Sequence, residues 1–273
     1  MKKILVLTDF SETSNKARDY AVQLAQELNA EVILLNIYHI PYTGARSGNF
    51  VMVDELSKTA ELQLNSQLEY LKTNYSNIKF KSLCVPGLVT DSVRSICVQE
   101  NIDLVVMGTT GETGFINKVF GSNFSSLIGS IKTPIIGVPA HATINFPKNI
   151  IVANDLMMSG EEELFLPLKE IAAKTNSSIN FLFVVDDEHK INHKIQRLKA
   201  ANFDSRFDLK YHPFHFRNNE NIEDGILDYI NSNEVDLLTV ISHQRTFWER
   251  LFHKSVAQSI SAHVKLPILI LSE

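Results

Sequence analysis

Short apolar runs alternate with longer amphipathic stretches along this chain. Residues 4–8 (ILVLT) form the first run, closed by a polar stretch from Asp9 to Ser14. Over residues 15–28, Ala17, Tyr20, Ala21, Leu24 and Ala25 recur at helical spacing, and both Ser11 and Ser14 are suited to cap that helix. Residues 31–37 (EVILLNI) predict a second strand, and residues 53–74 a long helix with Leu56, Ala60, Leu64, Leu68 and Leu71 along one stripe. Further strands are expected at 80–85, 104–107 and 134–138, with helices at 89–100 and 118–131 between them. Near-continuous apolar strands separated by helices belong to a parallel sheet covered on both faces, so the fold class is α/β.

The same order is then written a second time. Residues 149–153 repeat 3–7, Asp155 falls 146 positions after Asp9, and residues 178–184 (SINFLFV) repeat 31–37 at an offset of 147. Asp236-Leu237 repeats Asp103-Leu104, and KLPI at 265–268 repeats KTPI at 132–135, both at an offset of 133. The change of 14 places a longer excursion in the first half, between its second and fourth strands, around residues 44–50 and the helix after them. A period near 140 is far too long for a solenoid. The expectation is two tandem α/β domains, 1–142 and 146–273. Asp103 and Asp236, just ahead of buried strands, are expected to cap or end the preceding helices.

Composition narrows the classes. The chain has 273 residues, 44% hydrophobic and 21% charged, which excludes disorder, collagen and coiled coil. A net charge of -5 is a poor match for a phosphate backbone or an anionic bilayer, so neither nucleic acid nor membrane is expected as a partner. Cys84 and Cys97 lie in no paired motif and read as packing thiols in a reducing compartment. The apolar run after Lys2 and Lys3 is too short for a secretory signal, and no stretch approaches the roughly 20 apolar residues of a membrane span. A cytoplasmic protein is expected.

One motif carries candidate chemistry. The fourth strand ends in Met107-Gly108-Thr109-Thr110-Gly111, and nine residues further on Gly121-Ser122-Asn123 opens a helix, giving Gly-x2-Gly-x9-Gly-Ser. Glycines at a strand end let the backbone turn tightly and approach a ligand. A Gly-Ser pair at a helix start offers free N–H groups, a hydroxyl and the positive end of the helix dipole, which suits phosphate. The carboxyl ends of parallel strands are also where open α/β sheets hold ligands. Simple loop and cap geometry is the competing explanation for the same glycines.

With these landmarks the chain resembles the universal stress protein family in its tandem two-domain form. The resemblance rests on Asp9-Phe10-Ser11, the strand-end Ile37, the run from Asp103 to Gly108, the glycine motif and Pro134. It implies that each half is doubly wound, a five-stranded parallel sheet with helices on both faces, and that the two halves pair through the edge of the last strand as an internal pseudo-dimer, with a homodimer of whole chains left open. It also implies binding of an adenine nucleotide, ATP or AMP. Asp9 and Ile37 would face the adenine with Thr8 beside it. Met107, Gly108 and Gly111 would line the ribose and phosphate path, and Gly121, Ser122 and Asn123 would hold the phosphates. Two positions depart from the family: Leu7 stands where proline is common, and Phe124 replaces a Ser or Thr whose hydroxyl would give phosphate one more hydrogen bond. In the second half Ile241, Gln244 and Lys254 stand at the places of Gly108, Gly111 and Gly121, with only Ser255 matching Ser122. Phe247, Trp248 and Phe252 crowd the same loop, so that half is expected to be a degenerate partner.

No catalytic or metal-binding set emerges. His189 and His193 are four apart but lack a third ligand, and the odd separation of His212 and His215 puts them on opposite strand faces. Neither a nucleophile elbow nor a Walker loop is present. Nothing supplies an evident base for water, so the expectation is a stress-response binding or regulatory protein with at most slow ATP hydrolysis. The alternatives are a nucleotide-free interaction module, and a slow ATPase or phosphotransferase using Asp9 or Ser122.

Overall fold

The computed structural model describes residues 1–39, 49–110, 121–153, 162–185, 187, 191–192, 195–196, 214–242 and 265–272. The chain divides into two compact units, the first ending at Ala140 and the second beginning at His141.

In the first unit, β1 (Lys3–Leu7) leads into α1 (Glu12–Leu28), β2 (Glu31–Tyr38), α2 (Asn49–Asn74) and β3 (Phe80–Pro86). Next come α3 (Val89–Gln99), β4 (Leu104–Gly108), α4 (Ser122–Leu127) and β5 (Ile135–Val138). The strands are all parallel and lie in the order β3-β2-β1-β4-β5. Helix α1 begins at Glu12, before the apolar periodicity sets in, because Ser11 caps it by accepting a hydrogen bond from Ser14 N at 3.2 Å. Ser14, the other candidate cap, sits buried inside the first turn. Helix α2 starts four residues ahead of the expected 53 and buries Ala60, Leu64 and Leu71, leaving Leu56 exposed. The helix expected at 118–131 is described only over α4, which ends where Ile128 turns extended.

Helices cover both faces. A methyl added at Gly108 would meet Thr13 of α1, whereas one added at Gly137 would meet Phe124 of α4. Met107 is the register partner of Gly137, so the two glycines point to opposite sides of the sheet. On the α1 side, Gln67 of α2 donates to Asn15 Oδ1 at 2.7 Å; on the other, Thr90 of α3 and Ser126 of α4 share a hydrogen bond of 2.9 Å.

The second unit contains β6 (Asn149–Ala153), a 3-10 turn (Glu162–Phe165), α5 (Leu166–Thr175), β7 (Ser178–Val185) and β8 (Phe214–Asn218). It continues with α6 (Ile222–Ser232), β9 (Leu237–Ser242) and β10 (Ile268–Ser272). Its strands, again parallel, run β8-β7-β6-β9-β10, the same winding as the first. The registers also correspond: Leu7 pairs with Leu35 as Ala153 does with Leu182, and Ile4 with Leu104 as Ile150 does with Leu237. The longer excursion of the first half falls between β2 and β3, which are 41 residues apart against 28 between β7 and β8.

Asp103 and Asp236 act on strands, contrary to the helix-capping role expected of them. Asp103 Oδ2 accepts from Lys2 N at 2.6 Å and Lys3 N at 2.9 Å, and Asp236 Oδ2 accepts from Lys148 N at 3.0 Å and Asn149 N at 2.9 Å. A carboxylate accepting two main-chain N–H bonds fixes the start of a central strand, and both units do this alike. Among the described residues no helix is long and apolar enough to cross a membrane.

Candidate functional site

The winding reverses beside β1: β1 leads outward to β2 and β3, and the chain then crosses back to β4 and β5. The carboxyl ends of β1 and β4 therefore flank a topological switch point, the place where such sheets leave a crevice for a ligand. Register sets Val6 against Val106 and Leu7 against Leu35, so Thr8, Asp9, Ile37 and Gly108 all emerge at this end of the sheet.

Thr8 is the hub. It is 5% exposed, its N–H extends the ladder to Leu35 O at 2.9 Å, and its carbonyl accepts from Asn36 Nδ2 at 2.8 Å. Its hydroxyl accepts from Phe10 N at 3.0 Å and lies 3.3 Å from Ser14 Oγ. Phe10 adopts a left-handed conformation with φ 66°, unusual for an aromatic residue, and this sharp turn presents Asp9 to solvent. Asp9 Oδ1 accepts from both the N–H (3.1 Å) and the hydroxyl (2.5 Å) of Ser11, so the helix cap also orients the carboxylate.

At the end of β4, Gly121 N donates to Thr109 O at 2.5 Å and Thr109 N to Val138 O at 3.0 Å. The far end of the glycine motif is thereby tied to the strand from which the motif starts. Gly121 is the extended N-cap of α4 and has no side chain to cap it, and Ser122 and Asn123 are exposed. None of the eight described candidates (Thr8, Asp9, Ile37, Met107, Gly108, Gly121, Ser122 and Asn123) is basic. An anion held there would rest on main-chain N–H groups and hydroxyls. Ile37 is half-buried at the end of β2, and Met107 is buried, which leaves its backbone as the part able to face a ligand.

Two residues acquire roles that motif reading does not give. A methyl at Gly108 would sit 2.8 Å from Thr13 Cγ2, so this glycine is required for α1 to pack on β4. Phe124, at the position of the missing hydroxyl, is 1% exposed, with its ring filling the space above Gly137. Residue 124 thus faces the core and serves packing. Sequence reasoning also passed over Asn36; the available signal was a lone amide inside an otherwise apolar strand. Beyond Asn36, Cys84 donates weakly to Asn36 Oδ1 at 3.9 Å, and burial, with Glu61 nearby, pushes its thiol above the usual range.

In the second unit Ile241 is buried in β9 at the place of Gly108. Gly111, Asp155, His189, His193, His212, Gln244, Phe247, Trp248, Phe252, Lys254 and Ser255 lie outside the described residues.

Fold and site together define a tandem α/β protein with Gly108 and Gly121 at the switch point of its first unit. The model of the universal stress protein family matches residues 1–139 and 214–272, and the chain belongs to that family. Universal stress protein MJ0531 of Methanocaldococcus jannaschii is 27% identical over 139 residues, 50% of this chain and 81% of its own length. MJ0577, a universal stress protein of the same organism, is 24% identical over 152 residues, 50% of this chain and 94% of its own. The crystal structure of a universal stress protein from Archaeoglobus fulgidus shares the fold over 99% of this chain and 98% of its own, at a TM-score of 0.74 and 16% identity.

Proposed function

We propose that the first unit binds an adenine nucleotide, ATP or AMP, at the carboxyl ends of β1, β2 and β4, and that the chain acts as a nucleotide-responsive regulatory protein. Thr8, Asp9 and Ile37 would receive the base, Met107, Gly108 and Gly111 the ribose and phosphate path, and Gly121, Ser122 and Asn123 the phosphates. The observation that carries this reading is the Gly121–Thr109 hydrogen bond, which holds the Gly-Ser helix start against the end of β4 at the switch point. Neutral donors gathered there suit a phosphate tail, and the spacing is that of the family's ATP-binding branch. The second unit, with Ile241 in place of a glycine, would support the first.

The test is a thermal and calorimetric titration with ATP, preceded by analysis of any nucleotide released when the purified protein is denatured. Saturation at 100 times the Kd adds about 2.7 kcal/mol of stability. Gly121→Asp abolishes that gain while keeping α4 capped, because aspartate is a good N-cap but repels phosphate. A wild type that releases no nucleotide and shows no shift at millimolar ATP refutes the proposal. One observation favours the rival reading of a nucleotide-free interaction module: the contact between Gly108 and Thr13 explains that glycine by packing alone. Product formation lost on Asp9→Ala would instead mark a slow ATPase.

A further inference from the structure

We infer that Asn36 is a positioning residue for the base end of the nucleotide site, an inference that rests on the adenine-nucleotide reading above. Asn36 is 6% exposed within β2, where Val32, Ile33, Leu34 and Leu35 are all buried. An amide in such a place is unfavourable unless hydrogen-bonded, and this one is engaged at both ends. Its Nδ2 donates to the Thr8 carbonyl at 2.8 Å, and its Oδ1 accepts from Cys84 Sγ at 3.9 Å. From Thr8 the bonds run on to Phe10 N, and the turn at Phe10 carries Asp9, itself held by Ser11. Asn36 thus fixes the residue from which the Asp9 turn departs, without reaching solvent.

The second unit provides an internal control for a purely architectural role. By register, the pair Asn36–Cys84 on β2 and β3 corresponds to Phe183–Phe216 on β7 and β8. Those two rings stack with centroids 5.5 Å apart and planes 26° from parallel, and Phe183 is fully buried. The same sheet position therefore tolerates an apolar pair. The amide stands in the unit with the intact glycine motif, and the aromatic pair in the unit with Ile241 at the place of Gly108. What the amide adds is a hold on the Thr8 carbonyl.

The test uses the full chain carrying Asn36→Leu, close in volume but without a donor, with folding checked by circular dichroism and Tm. ATP and AMP are titrated by calorimetry. The expected result is a loss of about tenfold for each nucleotide, equal within error, as befits one lost positioning hydrogen bond at the end they share. Unchanged affinities, or a loss confined to ATP, overturn the inference while leaving nucleotide binding intact. A wild type that binds neither nucleotide overturns the parent reading instead. If Asn36→Leu fails to fold, the side-chain NH2 resonances of Asn36 in the 15N-labelled wild type decide: they shift on saturation with AMP if the inference holds, and stay in place if it fails.

Discussion

The packing of Phe124 against Gly137 ties the candidate phosphate loop to the core. A methyl placed on Gly137 would lie 2.4 Å from Cε2 and Cζ of Phe124 and 2.9 Å from Cγ2 of Thr109. Phe124 and Thr109 are each 1% exposed, so neither can swing into solvent. Overpacking of a closed core costs about 1–3 kcal/mol, and two contacts at 2.4 Å put Gly137→Ala toward the upper end of that range. Leucine has no counterpart of Cε2 or Cζ, so Phe124→Leu removes the two closest contacts and leaves the one to Thr109. Alone it costs about 1–2 kcal/mol for the lost ring atoms.

The double variant is therefore expected to recover most of the Gly137→Ala loss, a favourable coupling of about 2 kcal/mol, with the remainder set by the contact to Thr109. Urea unfolding followed by far-UV circular dichroism measures it through the midpoints, with the slope m checked for constancy. Because α4 carries Ser122 and Asn123, the proposed ATP binding should weaken in Gly137→Ala and recover in the double variant. Additivity within about 0.5 kcal/mol, or a neutral Gly137→Ala, would show that the ring and the glycine are not coupled and refute the argument.

Two other expectations follow from the same structure. Gly108→Ala should destabilise the ligand-free protein by about 1–3 kcal/mol, with part of that regained by Thr13→Ser, which removes the clashing Cγ2; unchanged ligand-free unfolding would mean that this glycine serves only a ligand. His215 is held below its ordinary value by burial, with the Arg217 guanidinium adding to the effect, and its ring lies 5.1 Å from that of Tyr229. The unfolded chain then takes up this proton more readily, so stability present above about pH 6.5 is lost as pH falls through the depressed value. His215→Phe should flatten that acid limb in thermal unfolding measured against pH, and an unaltered limb would count against it.

Strand positions, the doubled winding and the offsets between the halves were legible because buried parallel strands write themselves as apolar runs. Registers such as Ile4–Leu104 and Ile150–Leu237 reproduce those offsets residue by residue. The helix starts were less legible. Ser11 and Ser14 have equal claims as caps in sequence, and only the fold decides that Ser14 turns inward toward Thr8. The roles of Asp103 and Asp236 are hidden from the sequence for a related reason: their partners, Lys2–Lys3 and Lys148–Asn149, are about a hundred residues away in the chain, where no local rule reaches. Phe124 reads as a missing hydroxyl in the motif, and its complement, Gly137, becomes visible only once β5 and α4 are packed together.

The two units agree at one end of the sheet and differ at the other. At the amino ends of the strands each uses one carboxylate on two main-chain N–H groups to start its central strand, Asp103 in the first and Asp236 in the second. At the carboxyl ends the first unit has Asn36, Cys84 and Gly108 where the second has Phe183, Phe216 and Ile241. A constraint imposed by the fold acts on both copies equally, so shared features such as the aspartates report on folding. The polar pair Asn36 and Cys84 of the first unit is not demanded by the sheet, since the second closes the same positions with two stacked rings. A buried amide costs stability that an apolar pair would not, and the physical return available at those strand ends is a fixed Thr8 and the turn that presents Asp9.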